Sequence, residues 1–363
     1  MKYWIFYTSL ITNCLAFSRN LKYPGFSYTY RSYLYRCSSA VSLTEYLISS
    51  LESRDKTILE VFESISRSTR QIAGDIAMAP LSGLIGSANE ENASGDFQKK
   101  LDVVSNKKLK TELAKVKGIY ALTSEEEDDA LYLDLNGRYM ISYDPLDGSS
   151  NIDCAIPTGT IFGVYDVLTP GYEAGSLLRA GNSIVAAGYC LYSSSLELVI
   201  SVGEGCQGFT RNPSDGEYYL TRPNIICPNR GPFYSLNEAR SPDWPQGLQN
   251  YINAIKSGRG SWGKKYSSRY VCSLVADFHR TLLYGGWAGN PRRHLRLLYE
   301  AAPLAFLAEQ ASGKAYDGKV RILDIVPTKL HERVCVFMGS AEDIEELVSY
   351  GDVQQLSSQK YEA

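Results

Sequence analysis

The chain of 363 residues lacks acidic residues at its N-terminal end and lacks closely spaced cysteines. No aspartate or glutamate precedes Glu45, although five lysines and arginines occur in that stretch. The eight cysteines are scattered and none belongs to a C-x-x-C pair, which excludes a zinc-ribbon framework and a disulfide-dense scaffold. We therefore expect mostly buried, reduced thiols.

The overall charge is close to neutral. The net charge of −3 and the sequence pI near 5.8 argue against a general nucleic-acid-binding protein. The chain is 44% hydrophobic and 21% charged, which is typical of globular proteins. Its length is sufficient for two domains of ordinary size.

Residues 1–40 have the composition of a targeting presequence. Lys2, an apolar run from Tyr3 to Leu15 and the small Ala16 are typical of a secretory signal, and the run is too short for a comfortable membrane span. The following acid-free segment is rich in Ser, Tyr and Arg, as transit peptides are. The pair resembles the bipartite presequences of algae with complex plastids, so we expect a plastid location and no membrane segment in the mature protein. A secretory route, or a cytoplasmic protein with an N-terminal extension that has no targeting value, is the alternative.

The hydrophobic pattern predicts a mixed α/β protein with two domains. Helical periodicity covers residues 41–72 with a break near 53–55, a loop is expected over 79–95, and alternating strands over 159–221 predict antiparallel pairing. Three prolines in residues 223–232 mark the domain boundary. We predict domains over 41–225 and 226–353 and a tail over 354–363. The second domain is expected to contain a Gly, Asn and Pro loop after residue 284, a strand near Ile322 and a final helix over 341–350.

The most informative motif is the segment from Tyr143 to Asn151. Asp144 and Asp147 end a strand-like run and are followed by Gly-Ser-Ser, the composition of a turn that opens a helix. Paired carboxylates suit a hard divalent cation such as Mg²⁺, and free N–H groups at a helix start suit a phosphate. A metal beside a phosphate is the basis of metal-dependent phosphoryl transfer. Ordinary turn chemistry would also produce this motif when it occurs alone.

A second group of acids lies one strand earlier. Residues 125–129 are all acidic and follow a predicted strand over 119–123. A run of this kind usually forms a solvated loop. If the two strands are adjacent, however, Glu125 and Glu126 meet Asp144 and Asp147 at one sheet edge, where the charges require cations.

Several long motifs in order make the chain resemble class I fructose-1,6-bisphosphatases. They are the segments 100–106, 124–126, 144–153, 159–165, 186–190, 235–238, 277–286 and 295–300. The resemblance spans about residues 41–350 and implies a layered α/β sandwich, the sugar phosphatase fold, with two α/β domains. It implies Mg²⁺-dependent removal of the 1-phosphate of fructose 1,6-bisphosphate in gluconeogenesis or the Calvin cycle, commonly by a homotetramer.

The resemblance also implies three sets of site residues. Two or three Mg²⁺ ions, with Mn²⁺ as a possible substitute, are expected on Glu125, Glu126, Asp144, Asp147, Glu300 and the carbonyl of Leu146. The attacking water is expected to be oriented or deprotonated by Asp96, Asp102 and Glu126. The sugar bisphosphate is expected at Asp147, Gly148, Ser149, Ser150, Asn237, Arg269, Tyr270, His294 and Arg296, with the arginine at 269 supplied across a subunit interface.

The chain departs from the family pattern in the distal phosphate pocket. Arg240 and Asn290 stand where tyrosines are expected, and His294 stands where a lysine is expected. Arg292 and Arg293 could supply compensating positive charge. The first alternative function is therefore a sedoheptulose-1,7-bisphosphatase or a broad sugar bisphosphatase. A non-catalytic homologue is a further alternative, against which the complete set of acids argues.

Overall fold

The computed structural model describes residues 40–51, 56–91, 97–173 and 175–355. The predicted presequence, apart from Ala40, lies outside the described residues, as do Asp96 and the end of the tail. The described residues from Val41 onward form one compact unit. Within them, no helix is both long and apolar enough to cross a membrane.

A mixed eight-stranded sheet forms the N-terminal half. Its strands are β3 (Ile119–Ser124), β4 (Leu131–Tyr132), β5 (Tyr139–Asp147), β6 (Thr158–Asp166), β7 (Ile184–Tyr192), β8 (Leu196–Ser201), β9 (Gln207–Arg211) and β10 (Tyr218–Arg222). Their order is β10-β9-β8-β7-β6-β5-β3-β4, and every pairing except the parallel β3–β5 pair is antiparallel. The predicted strands and their antiparallel pairing are confirmed. A small hairpin, β1 (Ser87–Glu91) with β2 (Phe97–Lys99), lies outside this sheet.

Three helices cover one face of this sheet. They are α1 (Leu43–Ser50), α2 (Lys56–Ser82) and α3 (Lys100–Leu113). Apolar residues of α2 at helical spacing are buried against residues of β5 and β6, and Phe62 meets the ring of Phe162 edge-on. The prediction of two helices over 41–72 is confirmed. The loop expected over 79–95 is wrong at 79–82, where α2 continues to Ser82 with Pro80 inside it, and at 87–91, where β1 follows. Residues 83–86 between them lie outside helix and strand, as expected.

A five-stranded sheet forms the C-terminal half. Its strands are β11 (Phe233–Ser235), β12 (Ser267–Ser268), β13 (Trp287–Arg296), β14 (Lys314–Tyr316) and β15 (Arg333–Gly339), in the order β12-β11-β13-β15-β14. The helices of this half are α4 (Gln246–Ser257), α5 (Leu274–Tyr284), α6 (Ala302–Gln310) and α7 (Ala341–Ser349). The final helix was predicted to within one residue.

The two sheets share a central helical layer. Apolar residues of α5 and α6 pack with β6 and β7 on one side and with β13 and β15 on the other. The opposite face of the second sheet is covered by α4 and α7. The result is five layers, helix–sheet–helix–sheet–helix, which agrees with the predicted layered α/β class. The connection between β10 and β11 contains the predicted boundary at 223–232, and the division into two domains there stays a prediction.

Two predicted elements of the second half are wrong. The segment after residue 284, expected to be a loop from its Gly, Asn and Pro content, is the long strand β13. Its antiparallel pairing with β15 and its buried Trp287 override local propensity, and the register shifts between Asn290 and Leu295, around Pro291. Residues Ile322–Asp324 form a short 3₁₀ helix rather than a strand.

Candidate metal and phosphate site

The acidic ends of β3 and β5 lie side by side. The two strands are parallel, with Ser124 opposite Tyr143, and the N–H of Glu125 donates to the Tyr143 carbonyl at 3.1 Å. The predicted adjacency of the strands is therefore confirmed. This register places the start of the acidic run beside the Asp144–Asp147 segment at one sheet edge.

A β-bulge shapes the metal-site end of β5. Asp144 pairs with Ile161 and Asp147 with Gly159, so β5 contains one more residue than β6 between these pairs. The N–H of Leu146 folds back to donate to Asp144 Oδ1 at 2.9 Å. Bulges of this kind redirect side chains beside active sites.

Three buried carboxylates converge at this bulge. One oxygen from each of Asp144, Asp147 and Glu300 lies within 4.8 Å of the others. Glu300 comes from the π-helical turn Leu297–Ala301, where the N–H of Arg296 donates to Glu300 Oε2 at 2.5 Å. All three residues are less than a tenth exposed. Oxygen ligands at this separation suit a hard divalent cation.

The N-terminus of α5 fixes the orientation of Asp147. One carboxylate oxygen accepts from the Ser273 hydroxyl at 2.8 Å and from the Val275 N–H at 2.8 Å. The other oxygen accepts from the Leu274 N–H at 3.2 Å. Ser273, the N-cap of α5, is not among the site residues predicted from the sequence, although serine is a preferred residue at that position.

The carboxylates raise one another's proton affinity. Burial, followed by the charge of Glu125, raises the pKa of Asp144 well above its ordinary value, and the same two causes raise the pKa of Glu300 to about 8. Burial raises the pKa of Asp147 to about 6, although its three hydrogen bonds oppose the shift. These acids share protons unless a cation neutralises them, so the donor set fits a metal ion.

The two glutamates of the acidic run take different places. Glu125 Oε1 forms an ion pair with Arg296 Nη1 at 2.7 Å, and both side chains are largely buried. Glu125 is also close enough to raise the pKa of Asp144 and of Glu300. Glu126 acts electrostatically on Asp102. Arg296, predicted to bind substrate, thus lies against a predicted metal ligand.

Asp102 is a buried acid close enough to Glu126 and Glu125 to be affected by their charges. It lies in the first turn of α3, and its Oδ2 accepts from the Lys99 N–H at 2.7 Å. Among the described residues, Asp102 Oδ1 has no hydrogen-bond partner. Burial and the charge of Glu126 raise the pKa of Asp102 to about 8. An ionisable oxygen without a protein partner is suited to hold a water molecule.

The Gly-Ser-Ser segment opens a six-residue 3₁₀ helix, Ser149–Cys154. Gly148 precedes it with a φ of 73°, and a Cβ there would lie 2.9 Å from the Cβ of Ser273. Only glycine tolerates both the left-handed backbone and this close approach. Ser149 and Ser150 are partly or fully exposed at the start of the helix, next to Asp147.

The residues predicted for the distal phosphate follow strands of the second sheet. Because β11 runs parallel to β12 and β13, Asn237, Arg269 and Asn290 lie near one edge of the sheet. The Arg269 guanidinium lies 5.5 Å from the centre of the Phe233 ring, and the Tyr270 hydroxyl donates to Cys272 Sγ at 3.2 Å.

The residues that depart from the family pattern lie close to these strands. Arg240 forms a long ion pair with Asp243 at 3.5 Å, in the 3₁₀ helix that follows Asn237. His294 is exposed in β13, within the segment of irregular register.

The cysteine prediction agrees with the described residues. Cys190, Cys206, Cys227 and Cys335 are buried free thiols, and Cys154 and Cys272 are exposed free thiols.

Comparison with known proteins gives consistent matches. The family model for the N-terminal domain of fructose-1-6-bisphosphatase matches residues 42–223, and that for the C-terminal domain matches residues 227–352. The cytosolic fructose-1,6-bisphosphatase of Spinacia oleracea is 43% identical over 323 residues, which cover 85% of this chain and 93% of that protein. The chloroplastic enzyme of Brassica napus is 44% identical over 319 residues, covering 82% of this chain and 77% of that protein.

Solved structures agree with these matches. The crystal structure of Leishmania major fructose-1,6-bisphosphatase in holo form superposes with a TM-score of 0.81 at 37% identity, covering 86% of this chain and 99% of that chain.

Proposed function

The chain belongs to the fructose-1,6-bisphosphatase family, and we infer from this membership and from its site that it hydrolyses fructose 1,6-bisphosphate. It is an enzyme of the phosphatase class with the α/β sugar phosphatase fold. The observation that carries the proposal is the buried convergence of Asp144, Asp147 and Glu300 beside the Gly148 turn.

Catalysis in this family is metal-dependent, and we propose Mg²⁺ as the cation, bound as two or three ions, with Mn²⁺ as a substitute. Asp144, Asp147 and Glu300 would hold it, together with Glu125, Glu126 and the carbonyl of Leu146. When bound, Mg²⁺ would neutralise the charge of the phosphate and lower the pKa of a bound water molecule. The raised pKa values of the three buried carboxylates support this assignment, because such a cluster requires a cation to become fully ionised.

The chain's own groups would bind the reacting phosphate and orient the water. We propose that the N–H groups of Gly148, Ser149 and Ser150 receive the oxygens of the 1-phosphate, because they lie at the start of the helix that follows Asp147. Asp102 would accept a proton from the attacking water, for which its raised pKa is appropriate. Glu126, and Asp96 outside the described residues, are proposed to assist in orienting that water. As the water oxygen bonds to phosphorus, the phosphorus–oxygen bond to the sugar breaks and the leaving sugar oxygen takes a proton from water, which releases phosphate and the sugar monophosphate.

The distal phosphate is proposed to bind at Asn237, Arg269 and Tyr270, with His294 and Arg296 nearby. Arg269 would reach the site of a neighbouring subunit in a homotetramer. A second candidate substrate, sedoheptulose 1,7-bisphosphate, is favoured by one observation. Arg240, Asn290 and His294 replace the residues that the family pattern expects, and the β13 register is irregular there.

The location of the enzyme is also a proposal. Relatives from plants include both chloroplastic and cytosolic enzymes. The acid-free segment before Glu45 supports targeting to a plastid.

Phosphate release from the purified protein with Mg²⁺ tests the substrate assignment. We expect a higher kcat/KM for fructose 1,6-bisphosphate than for sedoheptulose 1,7-bisphosphate, and negligible release from fructose 6-phosphate as the control. A preference for the seven-carbon substrate would instead identify the altered distal pocket as the determinant of specificity. His294→Lys should shift such a preference towards fructose 1,6-bisphosphate, because it restores the expected positive charge.

A further inference from the structure

The bulge that carries the metal ligands is held by a side chain of the opposite strand. Thr160 of β6 lies between Ile161 and Gly159, the two residues that pair with Asp144 and Asp147, and therefore faces the extra residue of the bulge. Its hydroxyl donates to the carbonyl of Pro145 at 2.8 Å. The interaction is buried, and Pro145 itself has no N–H with which to pair across the strands.

A buried row of hydroxyl and thiol groups continues from Thr160. The hydroxyl of Tyr192 lies 2.7 Å from Thr160 Oγ. Because the single hydrogen of Thr160 is donated to Pro145, Tyr192 must be the donor in this second bond. Cys190 lies two residues before Tyr192 in β7 and therefore faces the same side of the sheet, with its thiol 3.6 Å from the hydroxyl of Tyr218.

The last group of this row lies on α2. The hydroxyl of Tyr218 lies 3.0 Å from Thr69 Oγ, and Thr69 bonds the carbonyl of Ser66 one turn earlier at 3.2 Å. Every member is buried in the layer between α2 and the first sheet. The bulge is thus linked to the helical layer through neighbouring buried polar groups.

The row of polar groups from Thr160 to Thr69 lies on the face of the first sheet opposite the carboxylates of the metal site. Side chains alternate along β6, so Thr160 points to the same face as Phe162, which packs on Phe62 of α2. Gly159 points to the other face, where a Cβ would meet Val275 at the start of α5, and Asp147 is held there. Thr160 and Tyr192 therefore act on the site only through the backbone of the bulge.

We propose that Thr160, oriented by Tyr192, is a positioning residue for the metal ligands of the bulge. By holding the Pro145 carbonyl, it sets the direction of the peptide units that carry Asp144, Leu146 and Asp147. Because both side chains lie on the opposite face of the sheet from the carboxylates, neither would touch the metal or the substrate. The inference rests on the proposed metal site and extends it to residues on the opposite side of the sheet.

The test compares two isosteric substitutions on one strand. Thr160→Val removes the hydroxyl that holds Pro145. Thr158→Val removes a hydroxyl two residues away on the same face, which is buried and has no partner among the described residues. We expect Thr160→Val to weaken Mg²⁺ binding, measured by calorimetry, about 10-fold, and to raise the Mg²⁺ concentration for half-maximal activity by a similar factor. Thr158→Val should change neither quantity. Thr160→Ser keeps the hydroxyl and should leave both close to those of the unsubstituted protein.

Tyr192→Phe provides a second, independent variant. It removes the donor to Thr160 but leaves the bond to Pro145, so we expect a smaller loss of Mg²⁺ affinity, about 3-fold. If Thr160→Val does not fold, this variant decides the matter. The proposal would be overturned if Thr160→Val and Thr158→Val had equal Mg²⁺ affinity. If Thr160→Val is unfolded, an unchanged Mg²⁺ affinity in Tyr192→Phe would overturn it. Failure of the metal site itself would be distinct, because the unsubstituted protein would then bind no Mg²⁺.

Discussion

At the scale of single residues, Asp147 joins two parts of the site. Its carboxylate accepts one hydrogen bond each from Ser273, Leu274 and Val275. One of its oxygens also lies within 4.8 Å of carboxylate oxygens of Asp144 and Glu300. We expect Asp147→Asn to reduce Mg²⁺-dependent kcat/KM at least about 1,000-fold, because it removes a charged ligand. Phosphate release and circular dichroism should show an inactive but folded protein.

Asp129→Asn is the control for this substitution, since Asp129 is an exposed acid in the acidic run that follows β3. It should leave activity unchanged. Retained activity in Asp147→Asn would contradict the assigned site.

The raised pKa values of the cluster predict a pH-dependent affinity for Mg²⁺. Without a cation, the carboxyl groups of Asp147 and Glu300 retain protons up to about pH 6 and about pH 8. Mg²⁺ must displace these protons, so its affinity should increase as the pH rises from 6 to 8 and then level off. Calorimetry in buffers of different ionisation enthalpy would measure the released protons.

The same raised pKa values determine whether the stability of the metal-free protein rises or falls with pH. An acid whose pKa is raised by folding contributes stability below its ordinary pKa, and this stability is lost as the pH rises through the raised value. The melting temperature without Mg²⁺ should therefore fall between about pH 4.5 and pH 8. Mg²⁺ should restore it most strongly at the upper end. A Mg²⁺ affinity that does not change with pH would contradict these shifts.

The sequence reveals the site residues unevenly. The acids at the ends of β3 and β5 could be predicted because motif and strand pattern coincide there. The bulge between Asp144 and Asp147 could not, since it depends on the register of two strands. The roles of Thr160 and Tyr192 follow from that register and are invisible in a single strand.

At the scale of elements, helix α5 supports the site through its first turn. Ser273 caps the helix by accepting from the Ala276 N–H at 3.3 Å and donates to Asp147. Ser273→Ala should lower stability by about 1 kcal/mol through the lost cap. It should also weaken Mg²⁺ binding about 10-fold, because a group that orients a ligand is lost. Thermal melts with and without Mg²⁺ would measure both effects.

The matched control is Ser42→Ala at the start of α1. Ser42 caps its helix in a capping box with Glu45 and lies on a different element from the carboxylates. Its loss should cost similar stability without changing Mg²⁺ affinity. Equal Mg²⁺ responses in the two variants would show that Ser273 acts only as a cap.

Helices and strands follow from the sequence where local pattern and tertiary environment agree. The amphipathic helices and the alternating strands of the first sheet were found for that reason. Strand β13 was missed because its Gly, Asn and Pro content is typical of a loop, whereas its pairing with β11 and β15 depends on residues distant in sequence.

At the scale of the whole molecule, the central helical layer joins the two sheets and contains a neutral histidine. His279 of α5 is partly buried and its Nδ1 lies 2.7 Å from the hydroxyl of Tyr189 in β7. Burial, with a smaller effect of Arg222, lowers its pKa to about 4, and Glu197 opposes the shift. This environment is that of a structural histidine.

The lowered pKa predicts acid sensitivity of the fold. The unfolded chain binds a proton at His279 below about pH 6.5 and the folded protein does so only below about pH 4. The stability from this group is present above pH 6.5 and is lost as the pH falls towards 4, by about 3 kcal/mol. His279→Gln should flatten this part of the stability curve measured by urea unfolding. An unchanged slope would contradict a neutral, partly buried His279.

The central claim is that the activity depends on a cation held by Asp144, Asp147 and Glu300. The most direct measurement is the anomalous diffraction of crystals grown with Mn²⁺, which also supports turnover in this account. We predict an anomalous peak between the carboxylate oxygens of these three residues. Mn²⁺-dependent turnover in solution without a peak at this cluster would contradict the account.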